Sequence, residues 1–254
     1  MAVVSAFLIP GSPLPYVQRD NPPWGAMAAA MDAAGKALAA SQPDTIAIYS
    51  TQWLAVLDQL WQVRPNPRGL HVDENWHEYG DLPFDMRTDV ELAAAALAAT
   101  DAYGIRSKGV DYDQFPVDTG TIVASNFLDP ENRFKSLVTA NNLYHDWDIT
   151  TNLGRVVRGL SGAFFRHVID IADDHIASEA DDAWNRRILA LMEAGDVDGL
   201  TAACPDFARE ARAEMGFKHF AYVLGGIGGR FAGATVHHYG PLYGAGGAVV
   251  EFHL

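Results

Sequence analysis

VVSAFLI (3–9), GAMAAAMDAAGKALAA (25–40) and TIAIY (45–49) follow one another near the start of the chain, and their reading decides the fold. The first run is short, rich in β-branched residues and stopped by Pro10, the pattern of a buried strand. The second is rich in alanine and methionine, which lose little side-chain freedom in a helix. Pro43 and Asp44 end that region, and TIAIY reads as a second buried strand. Strand, helix and strand within about 45 residues form a βαβ unit, so strands 3–9 and 45–49 are expected to be neighbours in a largely parallel sheet.

Outward from this unit, residues 64–87 are rich in Pro, Gly and charge and read as a loop excursion with short strand pieces. Thr88 fits a helix N-cap, with Glu91 as its capping-box partner and a helix running to about Ala102. Gly120–Ala124 and Ser136–Ala140 read as further strands. Residues 148–175 open with a helix, and Asp181–Ala194 is another that Gly195 stops. Pro205–Met215 reads as a short charged helix, while 218–224 is apolar and fits helix or strand equally. ATVHHY (234–239) and AVVEF (248–252) read as strands that close a sheet. The expected fold is a single α/β domain over 1–254, with a central, mostly parallel or mixed β-sheet flanked by helices.

The 254 residues are 49% hydrophobic and 20% charged, the balance of a globular chain and not of a disordered one. Eighteen basic against 32 acidic residues leave a formal charge of -14, which repels nucleic-acid phosphates and anionic membranes. No apolar run is long enough to span a bilayer, and no basic secretion signal is seen. The single cysteine, Cys204, rules out a disulfide framework. A cytoplasmic protein is expected.

Taken by themselves, the chemistry-bearing residues do not decide a function. His71 and His77 lie with Asp73, Glu74 and Glu78 in VDENWHE, a set able to meet a divalent ion but without a recognised ligand spacing. His237 and His238 are adjacent, so on a strand they point to opposite faces. His145 precedes Asp146, His219 precedes Phe220, and Glu251 lies inside an apolar run. The chain carries no nucleophile elbow and no phosphate-binding glycine pattern in a strand–loop–helix setting, and Cys204 has no nearby histidine.

The order of several signposts nevertheless resembles one family over more than 200 residues. They are IPGSPLP (9–15), PDTIAIYSTQW (43–53), GLHVDENWHEYGDLPFDMRTD (69–89), VDTGTIVAS (117–125), RGLSGAF (158–164), DDAWNRRILALMEAGDVDGL (181–200) and AEMGFKHFAYVLGGIGG (213–229). The chain resembles the class III extradiol ring-cleavage dioxygenases. That family holds Fe(II) with two histidines and a glutamate, leaving positions for a catechol-like substrate and O2. The resemblance places Gly11 where the first histidine stands, Gln52 at the second and Lys218 at the glutamate. It also places Thr119 and Gly162 at the two proton-handling histidines. Glycine offers no ligand atom, glutamine is a poor substitute for imidazole, and an ammonium repels a cation.

Within the family, PGSPLP (10–15), LHVDENW (70–76) and the VEF ending (250–252) resemble the iron-free α-type chain of two-chain members that open aminophenol rings. This implies a non-catalytic subunit with no metal or cofactor of its own. Its partner is then a homologous catalytic β subunit that carries the Fe(II), in a heterodimer or heterotetramer. Two other readings stand beside it. One is an active dioxygenase with a relocated metal site drawn from His71, His77, His145, His237, His238 and Glu251. The other is a stand-alone binding or scaffold protein of the same fold.

Overall fold

Ala6–Leu8 (β1) pairs antiparallel with Ala245–His253 (β9), and β9 pairs with Gly233–Leu242 (β8), giving a three-stranded sheet in the order β1-β9-β8. Successive side chains of a strand face opposite ways. Phe7 and Val249 therefore enter one core while Ala6, Leu8, Val250 and Phe252 enter another. Burial on both faces explains why VVSAFLI and AVVEF are nearly continuous apolar runs. These features belong to a computed structural model that describes residues 3–113, 117–156 and 174–254.

A second, mixed sheet contains Thr45–Ala55 (β2), Gln59–Gln62 (β3), Ser107–Val110 (β6) and Lys135–Asn142 (β7), in the order β2-β7-β3-β6. β2 runs parallel to β7 and β3 parallel to β6, while β3 meets β7 antiparallel. Arg68–His71 (β4) and Leu82–Asp85 (β5) form a separate antiparallel ribbon within the expected excursion. The expected neighbourhood of the first two strands is wrong. β1 takes the β9 edge, and β2 takes β7, whose register from Thr45↔Lys135 to Ser50↔Ala140 satisfies it residue for residue. The strand–helix–strand unit thus crosses between two sheets and does not return to one.

A one-turn helix, Leu14–Val17 (α1), follows β1. Pro22–Ala40 (α2) opens on two prolines, whose missing N–H groups cost nothing in a first turn. Thr119–Leu128 (α4) packs with α2 over Ile46 and Ile48, on one face of the mixed sheet. Val90–Thr100 (α3), Trp147–Val156 (α5) and Lys218–Gly226 (α8) cover Ala47, Tyr49 and Trp61 on the other. Glu179–Glu193 (α6) and Val197–Glu210 (α7) cover the outer face of the β1-β9-β8 sheet. The architecture is α/β, with a mixed sheet flanked by helices on both faces.

Three local expectations are corrected. Gly120–Ala124 is helix and not strand, because Asp118 caps it: its carboxylate accepts from the Thr121 amide at 3.1 Å and the Thr121 hydroxyl at 2.6 Å. Asp89, and not Thr88, caps α3, accepting from the Leu92 amide at 3.2 Å. Thr88 makes a strand bridge to Ser136 instead, and Glu91 falls one position short of a capping-box partner. The helix expected to begin at Pro205 begins at Val197 and carries Pro205 inside it. The ambiguous segment 218–224 is helix.

α5 and α8 cross with almost no separation. A Cβ at Gly154 would lie 2.0 Å from the Tyr222 carbonyl oxygen, and one at Gly225 would lie 2.0 Å from that of Thr151. Backbone cannot yield as a side-chain tip can, so the two helices depend on these glycines. Gly154→Ala and Gly225→Ala should each lower stability by about 1–3 kcal/mol, the usual range for overpacking. A fall in the urea midpoint with an unchanged slope checks this.

Candidate functional site

The turn after β1 and the middle of β2 meet at Gly11 and Gln52. β2 loses register with β7 between Ser50 and Leu54, and this irregular stretch carries Gln52. Its Nε2 donates to the Gly11 carbonyl at 3.1 Å. A Cβ at Gly11 would lie 3.1 Å from the Gly120 Cα and 3.2 Å from Gln52 Nε2, so the turn sits tightly on the start of α4. Ser50 Oγ donates to Asp118 Oδ1 at 2.5 Å, tying β2 to the capping carboxylate.

Thr119, the first residue of α4, closes the rim. Its hydroxyl donates to Asp73 Oδ2 at 2.5 Å, and His71 Nε2 lies 2.8 Å from the Thr119 hydroxyl oxygen itself. With the hydroxyl proton directed at Asp73, His71 Nε2 is the donor to Thr119, so the imidazole braces that hydroxyl. These bonds lash the β4–β5 excursion over Gly11, Gln52 and Gly120.

Lys218 opens α8 and is buried, with 8% exposure. Its Nζ donates to the carbonyls of Asn142 at 2.7 Å, His145 at 3.1 Å and Leu143 at 3.4 Å, just past β7. Burial pulls the ammonium below its usual pKa, and Asp146 partly restores it. Burial and the Lys218 charge hold the His145 imidazole below its usual pKa, and Asp146 partly offsets them.

The structure thus brings Gly11, Gln52 and Thr119 together with His71 and Asp73, while Lys218 directs its charge to the end of β7. Gly162 lies outside the described residues. None of Gly11, Gln52, Thr119 and Lys218 presents a carboxylate or an imidazole. The histidines named from sequence are scattered. His77 Nδ1 bonds the Glu74 carbonyl at 3.1 Å in an exposed loop, and His237 Nε2 pairs with Glu251 at 2.8 Å on the β8–β9 ribbon. His238 follows a bulge in β8. Among the described residues, no three His, Cys, Asp or Glu side chains converge in a way that could hold a metal ion.

Sequence reasoning passed over Glu214. It precedes a turn in which Met215, Gly216 and Phe217 have φ of 46°, 64° and 61°. Two non-glycine residues in the left-handed region are strained and persist only where their surroundings dictate it. The turn carries the Glu214 carboxyl inward. Burial drives its pKa well above the carboxylate range, and the nearby Thr51 hydroxyl offsets this only in part. His219 stands edge-on to Phe217, with its pKa pushed down by burial to about 4.

With this geometry in hand, the family can be stated. Residues 6–252 match the family described as the catalytic LigB subunit of aromatic ring-opening dioxygenase, and the chain belongs to it. Within it, the chain is 47% identical to the 2-aminophenol 1,6-dioxygenase alpha subunit of a Pseudomonas species, over all of both chains. It is 22% identical to the beta subunit from Pseudomonas, covering 99% of this chain and 94% of that one. These two relatives are named as the subunits of one two-subunit enzyme. The fold is shared with an uncharacterized protein from Escherichia coli K12, at a TM-score of 0.67 and 12% identity, over 98% of this chain and 99% of that one. No described helix is long and apolar enough to cross a membrane.

Two predictions follow from the geometry. Lys218→Met removes the donor from three carbonyls and should lower stability by about 2–3 kcal/mol, measured by urea denaturation. His219 has a folded pKa of about 4 against an ordinary 6.5, so its contribution is whole above pH 6.5 and is lost as the pH falls towards 4. The loss should reach roughly 3 kcal/mol. Glu214, with its pKa raised, contributes in the opposite sense, its stabilisation present at low pH and lost as pH rises. The difference between wild type and His219→Leu over that pH range isolates the histidine.

Proposed function

We propose that this chain is the non-catalytic, α-type subunit of a two-subunit extradiol dioxygenase that opens the ring of 2-aminophenol or a related catechol. The observation that carries the reading is the chemistry at Gly11, Gln52 and Lys218. In this reading they occupy the positions that active relatives use to hold Fe(II). Gly11 has no side chain, the Gln52 amide is spent on the Gly11 carbonyl, and Lys218 is a cation clamped to backbone oxygens. Such a set does not fit a divalent iron. Thr119, bonded to Asp73 and His71, and Gly162 stand where the proton-handling histidines would be. The iron belongs to a homologous β subunit, and this chain acts by stabilising that subunit or completing its pocket, in a heterodimer or heterotetramer. Oxygen-dependent ring catabolism of this kind fits a cytoplasmic enzyme.

The test measures oxygen uptake with 2-aminophenol by the chain alone, by the β subunit alone and by the two together, with Fe(II) supplied throughout. The expected outcome is no turnover and no iron retained after dialysis for this chain alone. The mixture should co-elute as one complex, with higher activity or thermal stability than β alone, because a ligand of the folded state shifts its folding equilibrium. Turnover by this chain alone that survives Gln52→Ala would overturn the reading.

A further inference from the structure

Past the irregularity in β2, the parallel strands β2 and β7 run on together beyond the core. Leu54 pairs with Asn141 and Ala55 with Asn142, and the Leu143 amide donates to the Ala55 carbonyl at 2.9 Å. Burial alternates along this stretch: Trp53 and Ala55 enter the core, while Leu54 and Val56 face outward. Leu57 and Tyr144, in the turns that follow the two strands, are each 79% exposed, and Leu143 is exposed too. Two paired turns thus hold five apolar side chains in water. Together these expose on the order of 500 Å², at the upper end of the largest apolar patch on an ordinary monomer and more than half of one side of a standard interface.

These turns are fixed from beneath. The buried Asn142 side chain donates through Nδ2 to the carbonyls of Leu57 and Asp58, each at 3.4 Å, and accepts through Oδ1 from the Tyr144 amide at 3.0 Å. Lys218 Nζ donates to the carbonyls of Asn142, Leu143 and His145. A surface held in shape before contact loses less conformational entropy when a partner arrives. The border of the patch is polar. Asp58 pairs with Arg106 at 3.0 Å, and the exposed carboxylates of Asp146 and Asp148 follow closely on Tyr144. An apolar centre with a charged border is the anatomy of a protein interface, and tyrosine is a common anchor in one.

Charge selects the occupant. A second copy would bring the same acidic border, on a chain of formal charge -14, against this one. We infer that the platform formed by Leu54, Val56, Leu57, Leu143 and Tyr144 is the docking surface for the β-type subunit, which meets it with an apolar face bordered by lysine or arginine. The inference rests on the two-subunit reading above and adds the surface through which it works. It also gives Lys218 a task in the assembly: the ammonium braces the turn that meets the partner.

The test measures association of the full chain with the Fe(II)-loaded β subunit by surface plasmon resonance. Leu57→Asp and Tyr144→Asp should each weaken binding at least tenfold and keep the wild-type urea midpoint. Leu70→Asp, which charges a comparably exposed leucine on the β4–β5 ribbon, should stay within threefold. Association should slow as salt is raised, and Asp148→Asn should slow it at low salt while leaving dissociation within twofold. If the wild-type chain does not bind β, the two-subunit reading fails and this inference with it. If the wild type binds and Leu57→Asp and Tyr144→Asp bind as tightly, the docking surface alone is overturned. Self-association of the chain that Leu57→Asp abolishes, with β binding untouched, assigns the platform to a second copy and overturns it as well. Association indifferent to salt and to Asp148→Asn overturns the basic border of the partner.

Discussion

A buried ammonium that donates to three backbone carbonyls ties the helices of this molecule to its mixed sheet. Lys218 sits on the first turn of α8, where the aligned peptide dipoles leave positive potential and favour an anion. A cation there is desolvated and opposed by its own helix. It persists because the chain just past β7 turns the carbonyls of Asn142, Leu143 and His145 towards it. Those bonds join α8 to the mixed sheet at one end, and the Gly154–Gly225 crossing joins it to α5 along its length. With α8 fixed at both places, His219, the residue after Lys218, is held buried and edge-on to Phe217.

The same substitution of neutral polar contacts for stronger chemistry runs through the rim at Gly11. Amide to carbonyl, hydroxyl to carboxylate and imidazole to hydroxyl follow in short order from Gln52 to Thr119 and His71. Under the proposed reading, this is how a pocket built around a metal closes once the ligands are gone. Each polar group that faced the ion finds a neighbour, since a half-satisfied buried network costs more than an apolar one.

The sequence disclosed the fold class, the helix over 25–40, the excursion after residue 64 and the last two strands, because each is written in local periodicity. It misplaced β1 because three residues of edge pairing are indistinguishable in sequence from a parallel core strand, and the β9 partner lies more than two hundred residues away. It misread α4 because TGTIVAS is β-branched, and the deciding contact is a single capping aspartate. The positions Gly11, Gln52 and Lys218 were legible only through resemblance, since a glycine, a glutamine and a lysine carry no ligand signature of their own. Glu214 was invisible for a different reason. In sequence it is one acid among 32 acidic residues, and only the left-handed turn that follows makes it a buried one.

The geometry also bears on why such a chain stays as it is. Any side chain placed at Gly11 meets the Gln52 amide at 3.2 Å and the Gly120 Cα at 3.1 Å. Any side chain at Gly120 meets Ser50 Oγ at 3.1 Å and Gln52 Cδ at 3.2 Å. A histidine at residue 11 therefore requires Gln52 and the start of α4 to give way by a few tenths of an ångström. Replacing Gln52 frees the Gly11 carbonyl and, under the proposed reading, supplies no ligand set, because Lys218 still places a positive charge at the third ligand position. Removing Lys218 in turn strips three carbonyls at the end of β7. Under the proposed reading no single step returns a metal site, and the changes are coupled, as expected of neighbouring residues whose effects do not add.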